Sequence, residues 1–312
     1  MNNDIALVTG GAGFIGSHLV EALLAHGWSV RVLDNFSTGQ HGNLAAAVEH
    51  IDLITGDLLD PQSLARAVEG ADVVFHLAAL GSVTRSMEHP LMTHEANSTG
   101  TLRVLEAARK AGVRRVVYSS SSSVYGDDED LPRRELQEAK PLSPYAVSKL
   151  VGEHYCRVYA RQFSLETVGL RYFNVFGPRQ DAQSEYAAVI PRFIESARNG
   201  RTPVIFGDGR QTRDFTYVAN VVHANLLAAA NGVSGESYNI GSGLATSLLE
   251  LLSFIRDSLG VTLHPRFEPE RPGDVRDSLA CIEKAQAQLG YEVKVSCFQG
   301  LASMLGAAPS AS

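Results

Sequence analysis

The sequence lacks what would tie it to an oxidising compartment, a membrane or a polyanion. It has three cysteines, Cys156, Cys281 and Cys297, an odd number with no C-x-x-C pair, so no disulfide framework is implied and a reduced, cytoplasmic setting fits. No apolar run approaches the ~18 to 20 residues of a membrane span. The start, Met1-Asn2-Asn3-Asp4, lacks the positive charge and apolar stretch of a signal peptide. There is no basic run, and 27 Lys and Arg against 34 Asp and Glu leave a net charge of −7, so neither nucleic acid nor an anionic membrane finds an electrostatic footprint. An anionic ligand must then be held by a few placed arginines, helix N-termini and backbone amides. No internal repeat occurs, and low complexity is confined to a serine cluster at 119–123 and a Gly/Ala/Pro/Ser tail from Gly306 to Ser312.

What is present suits a compact chain of one large domain or two intimate ones, with 45% of 312 residues hydrophobic and 20% charged. The centre of interest runs from Ser119 to Lys149. Tyr145 and Lys149 are four residues apart, so on a helix both side chains leave the same face, one turn from each other. A phenol, with its unperturbed pKa near ~10, is a poor base at neutral pH, and an ammonium beside it favours the phenolate. Ser121 supplies a hydroxyl that could bond the same substrate oxygen. The Y-x-x-x-K spacing alone occurs by chance in many helices, so the rest of the chain must support it.

Residues Ile5 to Thr9 are continuously apolar and lead into Gly10, Gly13, Phe14, Ile15 and Gly16, followed by a helical pattern from Ser17 to His26. Strand, glycine turn and helix are the context of a dinucleotide-binding fingerprint. Its glycines let the backbone approach a pyrophosphate seated on the positive end of the helix. A second strand, Ser29 to Leu33, ends at Asp34, followed by Asn35; a carboxylate there binds the adenosine ribose diol and repels a 2′-phosphate, which predicts NAD rather than NADP. Strands at Ile51 to Thr55, Val73 to Leu77 and Val116 to Ser119 alternate with helices near Pro61 to Val68 and Asn97 to Ala111. This rhythm predicts an α/β fold, a Rossmann-type doubly wound parallel sheet with ligands at the carboxyl ends of the strands. Asp57, Leu58, Leu77, Ala78, Ala79 and Asn97 would then meet the cofactor, while His76 is expected to be a structural hydrogen-bonder. The NAD-binding domain is placed at 1–170, with parts of the second half returning to the sheet, and a smaller mixed α/β substrate-binding lobe at 171–312.

With TGGAGFIG, Asp34, HLAA, SSSxxVYG and YxxxK in order, the chain resembles the extended short-chain dehydrogenase/reductase superfamily over essentially its whole length. That resemblance implies a catalytic triad of Ser121, Tyr145 and Lys149. It also implies a homodimer built from the helices around Asn97 to Ala111 and Tyr145 to Ala160. Dehydratases of the family carry an Asp-Glu pair where this chain has Ser122 and Ser123, which argues against dehydration and against the decarboxylase branch, whose members usually carry a glutamate there. The segments HLAALGSVTRS, SSSSVYGDD, PLSPYAVSK, GLRYFNVFGPRQD, YAAVIP, GDGRQTRDF and GDVRDS look like those of the UDP-N-acetylglucosamine 4-epimerases, the subgroup that prefers N-acetylated hexoses.

By that resemblance Gly81, Ser82, Ser122, Asn174, Gln180, Ala188 and Ser278 line the sugar, and Arg213, Arg271 and Asp274 contact the uridine diphosphate. Arg171 and Arg179 are further arginines that could reach the pyrophosphate. At the Ser278 position, epimerases restricted to non-acetylated sugars carry a tyrosine; a serine leaves room for the acetamido group. The implied substrate is a UDP-sugar and the implied metal is none. A UDP-glucose or UDP-uronate 4-epimerase stays open, as does a non-catalytic NAD-binding regulatory protein. The charged loop from Asp127 to Lys140 reads as a solvated connection.

Overall fold

The computed structural model describes residues 4–181, 188–270 and 275–306. A seven-stranded sheet is formed by β1 (Ile5–Thr9), β2 (Ser29–Asp34), β3 (Ile51–Thr55), β4 (Val73–His76), β5 (Arg115–Ser121), β6 (Glu166–Tyr172) and, late in the chain, a strand at Glu236–Ile240. From one edge to the other the order is Glu236–Ile240, β6, β5, β4, β1, β2, β3, all parallel. The order reverses at β1, which pairs with β2 through Thr9↔Leu33 and with β4 through Thr9↔His76. A crevice must open there, outside the carboxyl ends.

Alternation along the strands supplies both faces of the sheet. In β1, Ala6 and Val8 join a core with Leu19, Val20 and Leu23 of α1 (Phe14–Ala25), whereas Leu7 joins the opposite core. That second core includes Leu64 of α2 (Pro61–Val68) together with Val104, Leu105 and Cys156. Between these elements lie α3 (Val83–Glu88), α4 (Pro90–His94), α5 (Gly100–Ala111) and α6 (Pro144–Gln162). The first turn of the predicted helix at Asn97 is a π turn, Glu95–Thr99, ahead of α5. There the Asn97 amide is bound to the Leu80 backbone.

The second half divides its residues between the sheet and a lobe. Past the two-residue strand β7 (Val175–Phe176) come α7 (Val189–Arg198), β8 (Val204–Phe206), β9 (Thr212–Arg213), β10 (Thr216–Tyr217), α8 (Val218–Asn231), β11 (the Glu236–Ile240 strand), β12 (Thr246–Ser247), α9 (Leu248–Leu259), β13 (Arg266–Glu268), α10 (Glu283–Leu289) and α11 (Cys297–Leu305). Helices α8 and α10 bury Val221, Ala224, Ala285 and Leu289 against the sheet core beside α1. The lobe has a core of its own from Phe193, Ile205, Phe215, Leu251, Ile255 and Leu301. Among the described residues no helix is long and apolar enough to cross a membrane.

Helix α6 is fixed at both its start and its middle. Ser143 caps it, its hydroxyl accepting from the Ala146 N–H at 3.1 Å, and Pro144 supplies a preset first turn. Farther along, Gly152 rests on Tyr118 of β5, where a Cβ would overlap the phenol oxygen. This close approach seats Tyr145 and Lys149 over the end of β5.

Candidate active site

A cleft of about 610 Å³ opens at the carboxyl ends of β1, β4 and β5 and extends to the lobe. It brings together Gly10, Gly13, Phe14, Ile15, Gly16, Leu77, Ala78, Ala79, Gly81, Ser82, Ser121, Ser122, Tyr145, Lys149, Asn174, Gln180, Ala188, Arg213 and Ser278. These predicted residues come from segments as far apart as 10 and 278.

At the β1 end, the glycines are required by packing. A Cβ on Gly10 would sit 2.7 Å from the Ala78 backbone, and one on Gly16 would overlap the Gly10 carbonyl. Gly13 caps α1 without any side-chain acceptor, so the first-turn N–H groups of Phe14, Ile15 and Gly16 are left for a ligand at the positive helix end. A pyrophosphate fits this cradle. Asp34 is buried, its carboxylate accepting from the Ala12 N–H at 2.9 Å and the Phe36 N–H at 2.8 Å, with further lone pairs left on both oxygens. The Asn35 amide donates to Asp57 at 2.7 Å, which places Asp34, Asn35 and Asp57 together on the edge of β2 and β3, outside the cleft wall.

Two predicted cofactor residues serve the scaffold. The Leu58 side chain belongs to the core under α5. Asn97 accepts from Leu80 N–H at 2.8 Å and donates to the Ser148 hydroxyl at 3.0 Å, bracing the segment after β4 against α6. His76 is buried between Thr9 at 2.8 Å and Thr101 at 2.9 Å; burial, aided by the Lys149 charge, lowers its pKa to about 3, so it stays neutral. It is a structural hydrogen-bonder.

At the centre, the Tyr145 phenol stands beside the Ser121 hydroxyl in the cleft wall. Lys149 donates to the Ser119 carbonyl at 2.8 Å, and its Nζ lies 5.9 Å from the Tyr145 ring centroid. The sequence predicted that lysine would depress the phenol pKa. Instead burial raises the Tyr145 pKa, with only the Ser121 bond acting the other way, and burial lowers Lys149 to about 8. The reason is desolvation: both groups leave water before a ligand is present, and at this distance the ammonium does not offset the loss. Ser121 also accepts from the Ser123 N–H at 3.2 Å and the Ser123 hydroxyl at 2.9 Å. Ser122 and Ser123 line the cleft where a dehydratase would need carboxylates.

Toward the lobe, the Gln180 amide donates to the Val175 carbonyl at 3.2 Å while its buried Oε1 has no partner among the described residues. An orphaned acceptor at the cleft wall is suited to a ligand N–H. Arg213 donates to the Arg276 carbonyl at 2.6 Å and the Thr212 carbonyl at 2.9 Å, and the Ser278 N–H donates to Thr212 at 3.1 Å. Arg271 and Asp274 lie outside the described residues.

Two arginines expected at the pyrophosphate are engaged elsewhere. Arg171 forms a bidentate pair with buried Glu153, at 2.7 and 2.9 Å, and donates to the Tyr125 hydroxyl at 2.8 Å. Arg179 pairs with Glu21 of α1 at 2.5 Å. Neither lines the cleft. Sequence reading missed Thr38, Val83, Arg133, Leu142 and Val275, which do. No spacing marks them, and Arg133 sits in the loop taken for a solvated connection, yet it is 2% exposed.

Residues 6–241 match the model of the NAD dependent epimerase/dehydratase family. The chain is 41% identical over 300 residues to the UDP-glucose 4-epimerase of Mycolicibacterium smegmatis, covering 95% of this chain and 96% of that one. Among solved structures, it is similar to the UDP-N-acetylglucosamine 4-epimerase of Methanobrevibacter ruminantium in complex with UDP-N-acetylmuramic acid (39% identity, 98% of both chains, TM-score 0.93). It is also similar to a UDP-glucuronic acid 4-epimerase mutant from Bacillus cereus bound to NAD and a fluorinated UDP-glucuronic acid (34%, 97% and 98%, TM-score 0.90). With its glycine cradle, its serine, tyrosine and lysine at one strand end, and a match spanning most of its length, the chain belongs to the NAD dependent epimerase/dehydratase family.

Proposed function

We propose that the protein inverts C4 of a UDP-hexose, interconverting UDP-N-acetylglucosamine and UDP-N-acetylgalactosamine in preference to the non-acetylated pair. The observation that carries the chemistry is Tyr145, beside Ser121 and one turn from Lys149, in the wall of a cleft with no carboxylate at positions 122 and 123. NAD, held at the Gly10, Gly13 and Gly16 turn and near Asp34, is the cofactor, and when bound it supplies a reversible hydride acceptor that is regenerated in each turnover.

The chain's own residues handle the proton and the orientation. In its phenolate form Tyr145 Oη takes the proton of the sugar 4-hydroxyl as the C4–H bond breaks, and returns it when the 4-keto sugar is reduced from its other face. Ser121 Oγ orients that oxygen. Lys149, protonated below about pH 8, keeps a positive charge near the phenol and fixes the end of β5 through Ser119. Between the two half-reactions the keto sugar must turn over, so the diphosphate has to stay anchored; Arg213 together with Arg271 and Asp274 is assigned that work. In this reading Asn174 and Gln180 Oε1, which has no partner among the described residues, meet the acetamido group, Gly81, Ser82, Ser122 and Ala188 form the remaining wall, and Ser278 leaves the space open.

Incubation with UDP-GlcNAc and UDP-glucose, with C4 epimers resolved by NMR, tests this reading. UDP-GalNAc is expected to form faster than UDP-galactose. Ser278→Tyr should reverse that preference by roughly tenfold or more, as a ring occupying the acetamido space costs about 1–3 kcal/mol of overpacking. An unchanged substrate ratio in Ser278→Tyr overturns the gate.

A further inference from the structure

Among the described residues two arginines are buried near the site, and they are buried differently. Arg171 has its bidentate carboxylate, Glu153, at 2.7 and 2.9 Å. Arg133, with a side chain 3% exposed, has nothing comparable. Its Nη1 and Nη2 lie 3.5 Å from the carbonyls of Asp130 and Gly126, and its nearest carboxylate, Asp128, is 3.8 Å away. That carboxylate is held more closely by Lys140, at 2.8 Å. One anion thus serves two cations, and five N–H donors of a desolvated guanidinium meet only long contacts among the described residues.

The backbone shows that this placement is built. Arg133 N–H donates to the Leu279 carbonyl at 2.7 Å, and its carbonyl accepts from Cys281 N–H at 2.9 Å and the Asn239 amide at 2.8 Å. Ala280, between those partners, donates to the buried Asp214 carboxylate at 3.1 Å. The clamp holds Arg133 beside the 278–281 segment, and both Arg133 and Ser278 line the cleft, with Ser122 and Leu142. A buried, charged fork at a ligand wall, without a close anion among the described residues, is complementary to a carboxylate.

We propose that Arg133 is a specificity-determining contact for a carboxylate carried by the sugar of the UDP-sugar, so that carboxylated N-acetylhexosamine nucleotides are turned over at least as well as UDP-GlcNAc. This rests on the C4-epimerase reading. The carboxylate could stand at C6, as in a uronate, or on a 3-O-lactyl ether, and the two are separated by experiment. Wild type, Arg133→Leu and Arg133→Lys are assayed by NMR on UDP-GlcNAc, on its C6 uronate and on UDP-N-acetylmuramic acid. For at least one acid, the kcat/KM ratio to UDP-GlcNAc should be one or more in wild type. That ratio should fall roughly tenfold or more in Arg133→Leu, mainly through KM, and recover in part in Arg133→Lys. The inference is overturned if wild type disfavours both acids relative to UDP-GlcNAc, a comparison that needs no variant to fold, or if the ratio is unmoved in Arg133→Leu. No C4 inversion of any sugar by wild type overturns the epimerase reading instead.

Discussion

Lys149 shows at the scale of one residue how a buried cation in the cleft wall costs stability. It is 4% exposed, and burial lowers its pKa from 10.5 to about 8. The folded state therefore binds fewer protons than the unfolded chain between pH 8 and 10.5, and wild-type stability rises with pH across that window. Below pH 8 the full penalty of a buried ammonium applies, about 3 kcal/mol at 1.36 kcal/mol per pKa unit. Lys149→Met removes the titration but also leaves the Ser119 carbonyl without its donor, so the absolute change at one pH mixes two effects of similar size. The pH dependence isolates the first. Urea unfolding at pH 7 and pH 10 should show the stability of Lys149→Met relative to wild type falling by about 2.5 kcal/mol as pH rises. A difference that stays constant with pH would mean that Lys149 is not desolvated in the folded protein.

At the scale of elements, the contact between α6 and β5 sets where Tyr145 stands. Gly152 has no Cβ because the Tyr118 hydroxyl occupies its place, and that hydroxyl donates to the Lys149 carbonyl at 3.3 Å. Tyr118 is fully buried and its ring cannot swing away. Gly152→Ala should gain about 1 kcal/mol in helix propensity and lose about 1–3 kcal/mol to overpacking, a net loss, with kcat reduced because α6 and Tyr145 are pushed off the strand. Tyr118→Leu in the same chain removes the hydroxyl and the ring carbons that a Cβ would meet at 2.2 to 2.8 Å and should restore kcat in part, which thermal melts and turnover numbers can read together. The elements themselves were legible. The strand at Ile5–Thr9 and the helix at Pro61–Val68 carry the predicted bounds, because periodicity and capping residues such as Asp60 are local properties. Helix α1 begins three residues before the predicted Ser17, since a bare glycine cap leaves no side-chain signal. The roles of Arg171, Asn97 and Arg133 were not legible, because each depends on a partner 17 to 146 residues away in sequence, Glu153, Leu80 and Leu279 among them. Spacing reveals the glycine cradle and that Ser121, Tyr145 and Lys149 come together in one cleft; it does not reveal which arginine already has a carboxylate.

On the scale of the whole molecule, the helix that presents Tyr145 and Lys149 to the cleft has an opposite face that the single chain leaves bare. Val147 and Val158 are about half exposed on α6, Val151 stands between them, and all three fall at helical spacing. Beside α6 packs α4, where Leu91 is 80% exposed, and nearby Met87 and Met92 are exposed too. We propose that a second copy covers this face, giving a homodimer whose interface buttresses the helix that carries Tyr145 and Lys149. A stable pairing needs roughly 800 Å² from each partner. Two helices of this length presenting an apolar stripe can provide it when packed side by side. Leu91→Glu with Val158→Glu places charges on that stripe and touches no residue of the cleft wall. Light scattering after size exclusion should find wild type dimeric at micromolar concentration and the double variant monomeric. The variant's melting temperature should also lose its dependence on protein concentration, as expected when assembly no longer contributes to stability. A monomeric wild type, or a double variant that remains dimeric, would place the contact elsewhere and leave α6 supported within the single chain by β5, β6 and the helices beside it.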